Sequence, residues 1–436
     1  MIELLIITLS LIFIFILGSF VCSFLNADYS ENIILLFGIS LSIGIFCIGS
    51  QMLLYNLLGF RWTAINIYSP WILIIILFVF LSKRRLPSFK FRSIRLDKLS
   101  TLLLFLILLL LLITLLESQM RPVNAWDAIA TWYMGGKAFY ADRFIDGSFY
   151  KYINYDAPPL IHLMVNFMSI LIKNFNDTQT LLLFYAFYPA LLTVFFFSLR
   201  EKYSTNFSLF FTFLLASSQN FVRHAGRYDI GNADLPLSYF FFLSVFFVQK
   251  YNRKKTLGNI TLAVITLTSS ALVKNDGVPF ALTGFLILLI ISIKAKRKWL
   301  VAFAMLLITP LFYWKFFTLI NHFPPSYLPF LNIHMDRMPG VAVCILKEMF
   351  NVLRWNFLWI FVLSSIVFIK KSKNNLIVFI FMTSQIASYY YVYLVTPIPY
   401  RAHIENSLDR LLIQIAPICL YFAISVVFKP LKIKYN

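Results

Sequence analysis

Charge is scarce in this sequence. Only 13% of its 436 residues are Asp, Glu, Lys or Arg, and acids are the scarcer sign, 18 against 38 Lys and Arg. No polar stretch is long enough to build a separate soluble domain, and no internal repeat or low-complexity linker divides the chain. The absence of a glycine-rich phosphate loop removes the common nucleotide-binding motifs. Cysteine is sparse as well. Cys22, Cys47, Cys344 and Cys419 show no metal-ligand spacing, and all but Cys344 lie inside apolar runs, so neither a zinc site nor a disulfide framework is expected.

What fills the chain instead is apolar. Hydrophobic residues make up 60% of it, with 48 Phe. Apolar runs near the ~20 residues needed to cross a ~30 Å hydrocarbon core recur along its length. The pattern predicts an all-α, polytopic transmembrane bundle with about 13 spans. They fall near 3–25, 32–58, 68–82, 100–117, 179–199, 206–222, 233–249, 257–273, 277–293, 299–320, 351–370, 376–396 and 407–428. Residues 1–25 lack a basic start and a small-residue cleavage site, and read as a retained first helix. Three regions follow: helices and a basic loop over 1–99, the main membrane domain over 100–428, and a basic tail over 429–436.

A net charge of +20 would point to nucleic acid in a soluble protein. Here the positive-inside rule explains it without a nucleic-acid partner. The segment 83–98 holds seven Lys or Arg and one acid, and 250–255, 294–298, 370–373 and 429–434 are also basic, so all five are expected in the cytoplasm. Parity then requires one apolar segment not to cross. Residues 158–173 begin Pro-Pro, and a helix of this length reaches only ~24 Å. That segment is expected to be a membrane-embedded or interfacial half-helix, with the N-terminus outside. In this topology 23 of 38 Lys and Arg lie inside, whereas 14 of 18 acids lie at or near the outer face. Acids do little to set orientation, so their concentration outside calls for another cause, such as a site.

Four outer segments carry chemistry. The loop 117–157 holds Trp126-Asp127-Ala128 and ends in Asn154-Tyr155-Asp156-Ala157; an Asp there can act as a general base, bind a divalent metal such as Mg or Mn, or merely cap a helix. Between 223 and 236 stand Arg223, His224, Arg227, Asp229 and Asp234, which suit phosphate clamping or a salt-bridged loop. Lys274-Asn275-Asp276-Gly277 is wedged between two apolar runs. A turn there needs Asn, Asp and Gly but not Lys, so Lys274 is a phosphate-binding or snorkelling cation. Last, His403, Asp409, Arg410 and Gln414 enter an apolar helix, where ionisable groups face a bundle interior and pair with one another. Arg410 and Gln414, at i,i+4, share a face. A fifth segment, 321–350, with His322, Pro324, Pro325, His334, Asp336 and Arg337, reads as an ordinary outer loop.

In their order and shared sidedness these motifs resemble the GT-C superfamily of membrane glycosyltransferases, which includes protein mannosyltransferases and aminoarabinose transferases. The resemblance runs through Trp126-Asp127-Ala128, Tyr155-Asp156-Ala157-Pro158-Pro159-Leu160, Gly231-Asn232-Ala233-Asp234-Leu235-Pro236, Leu272-Val273-Lys274-Asn275-Asp276-Gly277 and Ser407-Leu408-Asp409-Arg410. It covers roughly residues 115–425 and leaves the first three helices unexplained; Asp276 stands where bacterial relatives more often have Glu. It implies a bacterial envelope enzyme that takes a sugar from a polyprenyl-phosphate donor at the extracytoplasmic face and passes it to a lipid, glycan or protein acceptor. Asp127 and Asp156 would then be the acceptor base or metal ligands. Arg227, Lys274 and Arg410 would bind the donor phosphate, with His224, Asp229, Asp234, Asn275, Asp276, His403 and Asp409 as further site residues.

Other classes compete with this one: a transporter or flippase for lipid-linked sugars, an O-antigen ligase or polymerase, and a non-catalytic scaffold. Transporters often carry repeated halves with broken helices, and no such repeat is visible; a scaffold leaves the outer charges unexplained. A cysteine placed at Asn174 reads the topology directly. Membrane-impermeant maleimide should label it from outside intact cells, and labelling only after permeabilisation would overturn the half-helix.

Overall fold

The computed structural model of the chain describes residues 2–25, 32–81, 96–153, 156–172, 174–297, 299, 305–323, 332–371 and 375–430. These are helical throughout, with no β-strand among them. In order the helices are α1 (Ile2–Phe24), α2 (Ile33–Leu57), α3 (Ala64–Leu81), α4 (Lys98–Met120), α5 (Met134–Asp142), α6 (Ser148–Ile153), α7 (Leu160–Ser169), α8 (Asp177–Arg200), α9 (Thr205–Ala216) and α10 (Gln219–Gly226). They continue as α11 (Asp234–Arg253), α12 (Leu257–Val273), α13 (Gly277–Lys294), α14 (Thr309–Ile320), α15 (Met338–Met349), α16 (Val352–Trp355), α17 (Leu358–Ser365), α18 (Leu376–Val395) and α19 (Tyr400–Val427). Asp28, Glu31, Asn154, Tyr155, Lys173, Lys298, Pro324, Pro325 and much of the basic segments 83–98, 370–373 and 429–434 lie outside the described residues.

Seven of the described helices, α1, α2, α4, α8, α13, α18 and α19, are long and apolar enough to cross a membrane, which fits an integral membrane protein. Their surfaces agree. In α4 only 22% of the apolar stretch is buried, and Leu102, Phe105, Leu108, Leu112 and Leu116 point outward. Water would penalise such a surface at ~25 cal/mol per Å2 of apolar area, whereas lipid does not. Other expected spans are shorter or broken. The run 206–222 divides at Ser217 and Ser218 into α9 and α10. The run 351–370 divides at Asn356, whose φ of 52° interrupts the helix, and ends in a 3-10 turn over Ile366–Lys371. The segments expected at the outer face are not plain loops either: 117–157 carries α5 and α6, and 321–350 carries α15.

The bundle has two distinct ends. At one, Glu3 at the start of α1 accepts a hydrogen bond from Asn176, which caps α8, at 2.9 Å, and Lys137 pairs with Asp177 at 2.7 Å. The end of α4 meets α10 there, through Glu117 and Arg227 at 2.8 Å. At the other end, Asn206 bonds Asp97 beside the start of α4, and Glu201 pairs with Lys250 and Arg253. The end of α4 and the start of α8 therefore share one end of the bundle. Between them lies α7, ten residues and ~15 Å long, too short for a crossing and buried along its whole length.

α11 is the central post. Nearly every residue of it is buried, against α8, α12, α13 and α19, and it is apolar around its whole circumference, as a helix enclosed by others must be. Close backbone approach fixes the α1–α2 pair beside it. A β-carbon on Gly18 would lie 1.9 Å from the Ser40 carbonyl oxygen, and one on Gly44 2.1 Å from that of Ile14. Small residues at such crossings let helices gain packing and dispersion contacts in lipid, where no hydrophobic effect joins them. Gly44→Val should cost ~1–3 kcal/mol through overpacking, read as a lower thermal midpoint in detergent; an unchanged midpoint would mean that α1 and α2 can part freely.

Candidate functional site

The site is assembled from the chain segments that flank α4, α11, α13 and α19. Asp234 is the first residue of α11 and its side chain has no exposure. A carboxylate without water must be paired or it costs several kcal/mol. Three donors meet it: Lys274 Nζ at 2.7 Å and Gln414 Nε2 at 2.7 Å on Oδ1, and Arg410 Nε at 2.9 Å on Oδ2. Lys274 also pairs with Asp276 at 2.9 Å. Gln414 is held in turn by the Tyr389 hydroxyl, which donates to its Oε1 at 2.6 Å.

Arg410 carries this buried network to the surface. Its Nη2 lies 2.6 Å from Asp127 Oδ2, and the Asp127 side chain is 41% exposed. Asp127 is placed there by local geometry. It directly precedes a π-helical turn, Ala128–Tyr133, which runs on into α5; such wide turns put one extra residue into a helix and recur at functional sites. Behind that turn sits Gly231, whose φ is 96°. A β-carbon there would press on Ala128 at 3.0 Å and Tyr133 at 3.1 Å, so glycine lets the chain leading into Asp234 lie directly under the segment that carries Asp127.

Asp156 forms a neighbouring centre. Its Oδ2 accepts from Lys315 at 2.9 Å and its Oδ1 from Asn275 at 2.9 Å. Asn275 is flanked by Lys274 and Asp276, so the turn between α12 and α13 links the two carboxylate centres. A third group lies against α10. Arg223 pairs with Asp229 at 2.6 Å and Asp409 at 3.5 Å, while Arg354 pairs with Asp409 at 3.7 Å and Glu348 at 3.1 Å. His224 stands 4.0 Å from Asp229; its burial lowers the imidazolium pKa, against the opposing pull of the Asp229 and Asp234 carboxylates.

Comparison of the chain with protein-family models, with curated proteins and with solved structures gives no match.

The structure thus gathers Asp127, Asp234, Lys274, Asp276 and Arg410 into one network, with Asn275 and Asp156 adjoining and His224, Asp229 and Asp409 beside it. Two expected residues stand apart from the network's core. Arg227 is held by both Glu117 oxygens, at 3.0 and 2.8 Å, and His403 bonds Thr396 at 3.0 Å. Reading the sequence missed Lys315, Tyr389, Arg354 and Glu348. Lys315 carried a legible signal, a lone cation inside the apolar run of α14, where charge usually marks an internal partner.

Asp127 and Asp156, the carboxylates considered for a divalent ion, are each engaged by a cation of the chain. Among the described residues no three His, Cys, Asp or Glu side chains converge as ligands. The donor set as arranged is one of ion pairs. Removing the hub tests the network. Asp234→Ala leaves Lys274 and Arg410 without their shared partner and should destabilise the protein by ~3–5 kcal/mol, seen in detergent-phase unfolding. Asp229→Asn should cost less, because Arg223 keeps Asp409; equal losses would deny Asp234 its central place.

Proposed function

We propose that the chain is a GT-C-like glycosyltransferase of a bacterial cytoplasmic membrane. It moves a sugar from a polyprenyl-phosphate donor to a lipid, glycan or protein acceptor at the extracytoplasmic face. The observation that carries this reading is the Asp127–Arg410 pair, a half-exposed carboxylate and a guanidinium held 2.6 Å apart over a buried anionic hub. An inverting displacement needs a base on the attacking face of the anomeric carbon and a cation at the phosphate leaving from the other, and this pair supplies both kinds of group.

In that displacement Asp127 accepts the proton of an acceptor hydroxyl while the oxygen of that hydroxyl attacks the anomeric carbon. The bond from that carbon to the phosphate oxygen breaks, and its electron pair leaves on the polyprenyl phosphate. Arg410 stabilises the charge growing there. Asp234, a carboxylate with no exposure that Gln414 and Lys274 hold in turn, anchors Arg410, so the guanidinium has little reorganisation left to do as the charge moves. Lys274, engaged by Asp234 and Asp276, serves this positioning more than direct phosphate binding, while Arg227 and Lys315 are second cations nearer the rim. An apolar groove of about 510 Å3 along α18, lined by Ile333, Met338, Ile386, Tyr390 and Leu394, supports the reading by offering a lipid tail a course beside the helix that carries Tyr389.

The decisive experiment supplies labelled polyprenyl-phosphate sugars to membranes bearing Asp127→Asn. Transfer should fall by ~100-fold or more at equal expression and equal thermal stability. Undiminished transfer by this variant removes Asp127 as the base. Movement of intact donor across the bilayer without bond cleavage, in the wild type, would favour the flippase class instead.

A further inference from the structure

The end of the bundle opposite Asp234 contains a cavity that glycosyl transfer does not use. It lies between the last turns of α11, α13 and α19 and the start of α18, and has a volume of about 1370 Å3. That exceeds the ~300–1,000 Å3 of ordinary small-molecule pockets. Three of its helices also run into the site described above. Along α11 alone, the path from Asp234 to Arg253 is ~28 Å, so the two features face opposite leaflets.

Its lining is divided by chemistry. The rim carries Lys202, Arg253, Lys255, Lys294 and Lys429, and among the described residues no Asp or Glu lines the cavity. Glu201, beneath, is already shared between Lys250 and Arg253. Lys202 donates to the Tyr421 hydroxyl at 2.9 Å and Lys255 to the Asn252 carbonyl at 2.5 Å, both neutral partners. Among the described residues no carboxylate pairs with Lys255, Lys294 or Lys429. The deeper wall is aliphatic and open, with Ile290 52%, Leu376 58% and Ile380 36% exposed. Four lysines with no carboxylate partner among the described residues, beside an Arg253 that pairs with Glu201, stand above an exposed aliphatic wall and match a molecule with an anionic head and hydrocarbon tails.

We propose that this cavity binds an anionic phospholipid of the leaflet at the basic end of the bundle. The lysines hold its phosphate, and its acyl chains lie along α13 and α18. The size and the aliphatic wall favour a lipid over a free phosphate, which would use the rim alone. The proposal does not depend on glycosyl transfer; it depends only on the bundle having two ends.

Native mass spectrometry of the full-length protein in detergent tests it, with phosphatidylglycerol and phosphatidylcholine added at equal concentration. Phosphatidylglycerol should be retained in preference to phosphatidylcholine. A Lys255→Gln, Lys294→Gln, Lys429→Gln triple variant should retain about tenfold less phosphatidylglycerol, since each basic residue near an anionic headgroup contributes separately. The corresponding Lys→Arg variant should keep it, which separates lost charge from lost folding. Equal retention of the two lipids by the wild type would overturn the proposal, as would unchanged retention by the glutamine variant. Displacement of phosphatidylglycerol by equimolar inorganic phosphate would overturn it too, and would identify a soluble phosphate ligand.

Discussion

A carboxylate with no access to water shapes this molecule. Asp234 sits at the head of a helix enclosed by four others, and its ionised form is tolerable only because Lys274, Arg410 and Gln414 reach it together. Those three residues come from the α12–α13 turn and from α19, so the charge balance of one buried atom group fixes how several helices meet. Everything outward of it follows. Arg410 can present its second face to Asp127 only because its first is anchored, and Lys274 can pull Asp276 inward only because it is already held. Buried pairs of this kind are weak evidence for net stability. They are better understood as setting a single arrangement of helices around a polar centre.

The same balance changes how the cations should be regarded. Lys274, Arg227 and Arg410 stand out in the sequence as free positive charges awaiting a phosphate. In the fold each has a carboxylate partner, so an incoming phosphate would compete with an internal anion. A nearly neutral site of this kind discriminates by geometry more than by raw attraction. Long-range pull on anionic lipids would then come from the opposite, basic end of the molecule.

Much of the helical layout was legible because apolar runs of the right length leave few alternatives. Residues 257–273 form a helix over that very range, and the Pro-Pro start and polar close of 158–173 already limited that segment to a short helix. The breaks were harder to see. At Ser218 the backbone turns extended and at Asn356 φ becomes positive, and neither break is visible to hydropathy. The site was legible as a set of segments on one side, because ionisable residues inside apolar surroundings are costly enough to need a reason. Their partners were not. Nothing in the local sequence ties Asp156 to Lys315, or Asp409 to Arg354, since those pairings depend on which helix faces which. His403 shows the converse: it shares the end of the bundle with the network yet binds Thr396, because sidedness does not fix azimuth.

The π-helical turn after Asp127 has a consequence of phase. Each residue in an α-helix advances the winding by ~100°, and the wide turn stores one residue more than an α-helical path would need. Downstream, α5 is packed on α7 and cannot rotate. The bearing of Asp127 is therefore set by a residue count between it and that fixed contact. Loss of one residue from 128–133 would let the turn close to ordinary pitch and swing Asp127 about a quarter of a revolution from Arg410, with every side chain of the pair still present.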